Sequence, residues 1–199
     1  MFTGIVETIG VVEHIELINE CKTLKIAPDI YFSDLKINDS LSVNGVCLTI
    51  TDLSDESIYL TAVPETLRLT NLGMLEKNSI VNLERSLKPD TRNSGHYVQG
   101  HVDGMGKIIE IKNEGDAQLI KISITSSLSK YIVNKGYITI DGMSITIIKS
   151  TPEWFTVTFI PHTQNITIVK NYTVNTFVNI EVDILSKYIE KLLEVRSHE

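Results

Sequence analysis

Cys47 and Thr49, and again Ser144 and Thr146, stand two positions apart, each pair just behind an Asn-Gly or Asp-Gly turn. Residues i and i+2 of an extended strand share one face. Each segment therefore offers two thiol or hydroxyl groups side by side, a pattern able to hydrogen-bond the polar edge of a flat heterocycle. A buried cysteine, or strand threonines bonded to backbone, explains either segment taken alone. The other stretch with chemical potential is Gly95-His96-Tyr97-Val98-Gln99-Gly100-His101-Val102-Asp103-Gly104. Its glycines admit close backbone approach to a ligand, and histidine titrates near neutrality, which suits acid–base work. A turn with a solvated or structurally bonded histidine is the plainer alternative. No Ser-His-Asp spacing is readable, and no GxGxxG precedes a helix, so neither a triad nor a dinucleotide fold follows.

The two polar pairs belong to a larger pattern. Asn44-Gly45-Val46-Cys47-Leu48-Thr49 aligns with Asp141-Gly142-Met143-Ser144-Ile145-Thr146, Pro64-Glu65-Thr66 with Pro161-His162-Thr163, and Val81-Asn82-Leu83-Glu84 with Val178-Asn179-Ile180-Glu181. The starting pairs 44/141, 64/161 and 81/178 share one offset of 97 positions. The chain is a tandem duplication. Turn chemistry alone would keep the glycine and not the polar i, i+2 pair, so the repeat weakens the plain reading. The expected organisation is a lobe over 1–86, a polar Pro/Gly-punctuated linker over 87–96, a second lobe over 97–184, and a helix and tail over 185–199.

Residues 41–52, 57–63, 138–148 and 154–160 are rich in Val, Ile and Thr, partly alternating, and are cut by turn residues such as Asn44-Gly45, Asp55, Gly73 and Gly115-Asp116. Short strands at that spacing predict an all-β protein, with about six antiparallel strands per lobe closing into a small barrel. Residues 28–35 and 126–135 read as a helical turn inside each lobe. The last segment, 183–195, has no counterpart. Ile184, Leu185, Tyr188, Ile189, Leu192 and Leu193 make one apolar stripe on an amphipathic helix. Packing on its own lobe, self-association and a membrane surface are its three readings. Mixed charges and scarce aromatic anchors disfavour the last.

Composition limits the function classes. The chain has 199 residues, is 42% hydrophobic and carries a net charge of −7 with a pI near 5.3. That is a globular composition without the basic surface that nucleic acid requires. No apolar run spans a membrane, and the start lacks a signal-peptide pattern. Two cysteines and five scattered histidines (His14, His96, His101, His162, His198) suggest neither a disulfide framework nor a structural metal. A reducing cytoplasm is the expected location.

The start Met-Phe-Thr-Gly-Ile-Val-Glu, the segment 44–49, Glu65-Thr66-Leu67-Arg68-Leu69-Thr70-Asn71-Leu72, the glycine–histidine stretch, and Lys135-Gly136 with 141–146 together resemble the riboflavin synthase family of alpha-chain type. The resemblance covers residues 1 to about 185. It implies two similar six-stranded Greek-key β-barrels with a C-terminal helix, a homotrimer assembled through those helices, and association with lumazine synthase as a further partner. It implies the dismutation of two 6,7-dimethyl-8-ribityllumazine molecules, without metal or organic cofactor, where the N-terminal barrel of one subunit faces the C-terminal barrel of a neighbour. Duplication then has a chemical sense, because two copies of one barrel present two copies of one substrate.

Carried onto this sequence, the resemblance places the first-lobe pocket at Gly4, Ile5, Val6, Ser40, Cys47, Leu48, Thr49, Thr61, Ala62, Val63, Pro64, Glu65 and Thr66. The second-lobe pocket falls at Gly100, His101, Val102, Asp141, Ser144, Ile145, Thr146, Thr158, Phe159, Ile160, Pro161, His162 and Thr163, with Lys135 reaching across the interface and Phe2 packed near the rings. The chemistry needs a base for the acidic C7-methyl of one lumazine and a nucleophile for the other. His101 is the expected base. Cys47, Ser144 and Thr146 compete with water as nucleophile or positioning groups. The pockets differ at Cys47 against Ser144 and at Glu65 against His162. A non-catalytic lumazine- or flavin-binding antenna protein is the alternative. A flavin-dependent reductase would need a βαβ half that the sequence lacks.

Overall fold

A computed structural model describes residues 1–54 and 56–196; the Asp55 turn position and His198 lie outside the described residues. The first lobe contains β1 (Thr8–Ile18), β2 (Cys21–Pro28), β3 (Ser40–Val43), β4 (Val46–Leu53), β5 (Ile58–Ala62) and β6 (Ile80–Arg85). The second contains β7 (Gly104–Glu114), β8 (Ala117–Ser123), β9 (Tyr137–Ile140), β10 (Met143–Ser150), β11 (Trp154–Phe159) and β12 (Phe177–Val182). Each set closes into an antiparallel barrel, in the order β1-β2-β5-β4-β3-β6 and, matching it, β7-β8-β11-β10-β9-β12. Closure leaves no unpaired sheet edge. Alternate residues point inward, so Leu24, Ile26, Leu41, Leu48, Ile50 and Leu60 fill the first core and Ile120, Ile122, Ile138, Ile147, Phe155 and Val157 the second.

Helix is confined to short connections and the C-terminus. Of the two expected helical turns, the second exists as α2 (Ser126–Ser129), which stops well before residue 135, and the first does not form. There the Asp29 N–H donates to Ile9 O at 2.8 Å and the Ile30 N–H to Thr8 Oγ1 at 3.2 Å, so the β1–β2 pairing runs on past Pro28 and holds the start of the segment to β1. The helices not foreseen are α1 (Pro64–Leu69) and α3 (Pro161–Ile166), each begun by proline and followed by a 3-10 turn, Asn71–Met74 and Ile168–Asn171. Lys22, on the inward face of β2, caps the first of these turns. Its ammonium donates to Leu72, Gly73 and Leu75 carbonyls at 3.0, 3.0 and 2.8 Å, and burial lowers its pKa.

The last helix, α4 (Ile184–Arg196), corrects the reading that it packs its stripe on its own lobe. Leu185, Ile189, Leu192 and Leu193 are each more than half exposed. Polar contacts tether the helix: Lys187 to Asp103, and Glu190 to Lys130 and Tyr131.

The barrels meet through a buried polar joint. The Asn71 N–H donates to Asn179 Oδ1 (2.7 Å), Asn179 Nδ2 to Asn44 O (2.8 Å), Asn82 Nδ2 to Asp141 O (2.9 Å) and the Ile168 N–H to Asn82 Oδ1 (2.9 Å). Asn82 and Asn179 are repeat partners, as are Asn44 and Asp141, so the joint follows the duplication. Its asymmetry is Asp141, whose carboxyl accepts from Asn71 Nδ2 (2.9 Å), the Asn179 N–H (2.7 Å) and the Tyr172 hydroxyl (2.6 Å). Burial outweighs these donors and pushes its pKa up to about 7. In the unfolded chain such a group titrates near about 4.

The folded state therefore binds the extra proton between those values. The Asp141 contribution to stability is complete below the unfolded pKa and is lost as pH rises through about 7. In Asp141→Asn the amide can keep the same partners, since the Tyr172 hydroxyl can also accept. Stability of the variant relative to the parent should rise across that window, with a slope of up to about 1.4 kcal/mol per pH unit. Denaturant unfolding at a series of pH values checks this; parallel pH curves for the two proteins would refute it.

Candidate active site

The outward faces of β4 and β10 carry the polar pairs. Cys47 and Ser144 are half-buried and Thr49 and Thr146 exposed, whereas Leu48 points into its core. Ser40 lies opposite Thr49 on β3, and Tyr137 opposite Thr146 on β9. From the Ile50–Leu60 and Ile147–Val157 pairs, alternation places Thr61 beside Thr49 and Val63 beside Cys47, then Thr158 beside Thr146 and Ile160 beside Ser144. Val63 and Ile160 are exposed apolar residues at the starts of α1 and α3. Two faces of the same plan result, each with hydroxyls or a thiol along one row and an aliphatic residue at its end.

Neither face is completed by its own lobe. The Ser144 N–H donates to Gly4 O at 2.8 Å, and the Cys47 N–H donates to Gly100 O at 2.9 Å. Val6 joins the core of the second barrel, and Val102 packs on the core of the first. This exchanges the expected assignment: residues 4–6 serve the second lobe, and residues 100–102 the first. Phe2 anchors the exchange. It is wholly buried and pairs in antiparallel fashion with Val98, so it positions this segment instead of presenting a ring to ligand. Gly4 and Gly100 both adopt φ of +78°, and an added Cβ would lie 2.6 Å from Ser144 Cβ and 2.5 Å from Cys47 Cβ. Only glycine fits there, on conformational and steric grounds alike.

The second face has a feature that the first lacks. His96, almost fully buried, sets Nδ1 at 2.7 Å from Ser144 Oγ and Nε2 at 3.2 Å from Thr139 Oγ1, and stacks on Tyr137 at 5.1 Å. Burial lowers its pKa, although Asp183 opposes the shift, so the imidazole favours its neutral form. With hydrogen on Nε2, the ring donates to Thr139 and accepts from Ser144, which makes the Ser144 oxygen more nucleophilic. The sequence pointed to this histidine as one of two, but gave no means of preferring it to His101. His101 itself is exposed, with its backbone N–H on Glu181 at 3.0 Å.

Several expected residues sit elsewhere. Asp141 is in the inter-barrel joint, away from both faces, because its carboxyl is consumed by Asn71, Asn179 and Tyr172. Ala62 and Phe159 are buried core residues that can reach a ligand only through backbone, and Ile145 packs partly against the second core. Glu65 pairs with Arg68 on its own helix, while His162 and Lys135 are exposed. Thr66 and Thr163 are half-buried on α1 and α3, where each carbonyl accepts from the threonine four residues on. Pro64 and Pro161 begin the two helices.

Comparison with known proteins follows the same outline. The lumazine binding domain matches residues 3–86 and again 99–183. The riboflavin synthase of Bacillus amyloliquefaciens is 42% identical over 193 residues, covering 97% of this chain and 90% of that protein. The chain belongs to the riboflavin synthase family. Another family member, the riboflavin synthase of Schizosaccharomyces pombe (strain 972), is 42% identical over 200 residues, covering 98% of this chain and 94% of its own. Among solved structures, LumP complexed with 6,7-dimethyl-8-(1'-D-ribityl) lumazine superposes with a TM-score of 0.81 at 22% identity, covering 92% of this chain and 99% of that one. LumP complexed with riboflavin gives a TM-score of 0.84 at the same identity, covering 92% and 100%. That likeness concerns the fold.

Gly4→Ala and Gly100→Ala each combine left-handed backbone strain with a collision at the opposite barrel. Each should lower stability by roughly 1–3 kcal/mol, measured as a shift in denaturation midpoint. Wild-type midpoints would mean that the exchanged segments are not held as described.

Proposed function

We infer that the chain is a riboflavin synthase, a transferase that dismutates two molecules of 6,7-dimethyl-8-ribityllumazine. One molecule gives a four-carbon unit to the other, producing riboflavin and 5-amino-6-(D-ribitylamino)uracil. The atoms of the two substrates account for both products, so no oxidant, reductant or net water is needed. The observation that carries the reading is the pair of outward polar faces, built to one plan but unequal at Cys47 and Ser144. Two copies of one substrate need two similar cradles, and donor and acceptor roles need those cradles to differ. Holding both rings in a reactive orientation can contribute roughly 7–11 kcal/mol in ideal cases.

On the first face we assign Ser40, Cys47, Thr49 and Thr61, with His101 and Val102 brought by the exchanged segment. On the second we assign Ser144, Thr146 and Thr158, with Gly4, Ile5 and His96 beside them. His101 acts as the base or proton relay for the C7-methyl. Ser144, polarised by His96, or a water held by it, adds to the other lumazine. The active unit is a homotrimer in which the N-terminal barrel of one chain faces the C-terminal barrel of the next. The exposed apolar stripe of α4 supports that assembly, as does the groove of about 700 Å³ between α4 and β9, lined by Val133, Tyr137, Leu185, Ile189 and Leu193.

Incubating the protein with the lumazine should give riboflavin, read by its absorbance; tight binding with no riboflavin would identify an antenna protein instead. His101→Gln should slow single-turnover formation by about 100-fold or more, and unchanged turnover would remove His101 from the mechanism. Light scattering should give three times the chain mass. A stable monomer would contradict the intersubunit site.

A further inference from the structure

Two buried carboxylates stand where the exchanged segments leave their own barrels. Glu84 lies on β6 and Glu181, its repeat partner, on β12; they are 5% and 3% exposed. Glu84 Oε1 accepts from the Thr3 N–H at 2.7 Å and the Thr3 hydroxyl at 2.9 Å, and Oε2 from the Gly4 N–H at 3.1 Å. Glu181 Oε1 accepts from the Gln99 N–H at 2.7 Å, and Oε2 from the Gly100 and His101 N–H groups at 2.9 and 3.0 Å. Among the described residues neither carboxylate has a Lys, Arg or His ion-pair partner, so backbone N–H groups and one hydroxyl hold them. Such a cluster of converging donors favours a group that only accepts, as an ionised carboxylate does, while burial opposes ionisation and raises both pKa values, that of Glu84 to about 7.

What each carboxylate holds is passed to the other barrel. Gly4 gives its N–H to Glu84, and its carbonyl, in the next peptide group, takes the Ser144 N–H. Gly100 likewise gives its N–H to Glu181, and its carbonyl takes the Cys47 N–H. We propose that Glu84 and Glu181 are positioning residues that act crosswise: Glu84 of the first barrel sets the Ser144 face of the second, and Glu181 of the second sets the Cys47 face of the first. The register of each barrel shows what the link spans. Glu84 lies in one outward row with Ser42 and Cys47, and Glu181 in one row with Thr139 and Ser144. Each glutamate thus ties the row of its own barrel to the reacting group of the other, keeping the two unlike faces in fixed relation. The proposal rests on the synthase reading only for its catalytic consequence. The geometric claim is independent of it.

The test uses site-resolved probes that need no turnover. Alkylation of Cys47 by iodoacetamide, followed by peptide mass spectrometry with Cys21 as internal reference, reports on the first face. The NMR signals of the His96 imidazole report on the second. Glu181→Gln should change the Cys47 alkylation rate by at least about threefold and leave the His96 signals in place. Glu84→Gln should shift the His96 signals and leave Cys47 alkylation unaltered. Glu84→Asp and Glu181→Asp retain an acceptor-only group and, tested alongside, should show the same crossed pattern in weaker form, which covers a glutamine variant that does not fold. Effects confined to the variant's own barrel, effects on both faces alike, or no effect on either would overturn the proposal. Riboflavin formation by the unsubstituted protein is scored separately, so failure of the synthase reading is not confused with failure of the crossed link. Where turnover occurs, each glutamine variant should lose at least about tenfold in kcat.

Discussion

The arrangement of the two barrels depends on buried polar groups at their junction that complete their hydrogen bonds across it. Asn44, Asn82 and Asn179 are at most 2% exposed, and each exchanges hydrogen bonds across the junction or with residues that do. An unsatisfied buried polar group costs about 1–3 kcal/mol, so separating the lobes would be expensive at several positions at once. The two barrels are consequently one unit related by an approximate two-fold axis.

That axis makes the segment exchange possible. Residues 2–4 and 98–100 run side by side near it, joined by the Phe2–Val98 pairing, and each continues onto the strand of the opposite barrel. The faces that carry the polar pairs are thereby composite. Each contains two or three strands of one barrel and a backbone segment entering from the other. Among the departures from symmetry, several fall at chemically meaningful places: Cys47 against Ser144, Ser40 against Tyr137, Asn44 against Asp141 and Glu65 against His162. Tyr137 gives His96 a surface to stack on, which Ser40 could not do, and this makes the second face the one with a polarised hydroxyl.

Legibility from sequence followed the range of the interactions. The strands around Cys47 and Ser144 were readable because alternation and Asn-Gly or Asp-Gly turns are properties of adjacent residues. Proline at positions 64 and 161 suits a helix start, yet α1 and α3 are too short for a periodic stripe, so the sequence shows them only as pocket segments through the family resemblance. The helical reading of residues 28–35 fails where the β1–β2 pairing runs on through Asp29 and Ile30, a contact with residues some twenty positions earlier in the chain. Lys22 gave no sign of burial, since its three carbonyl partners lie some fifty positions further along the chain.

By itself the sequence determined the duplication, the β class, the polar pairs and the amphipathic stripe of the last helix. All of these are fixed by spacing within a segment or by a constant offset between two segments. Only the tertiary structure decided that residues 4–6 serve the second barrel and residues 100–102 the first, that Asp141 belongs to the joint, and that His96 lies behind Ser144. These facts arise from contacts between residues far apart in the chain, the segment exchange through backbone groups that every residue shares and the other two through side chains with many possible partners. Such contacts carry no signature in residue type until folding has brought the partners together.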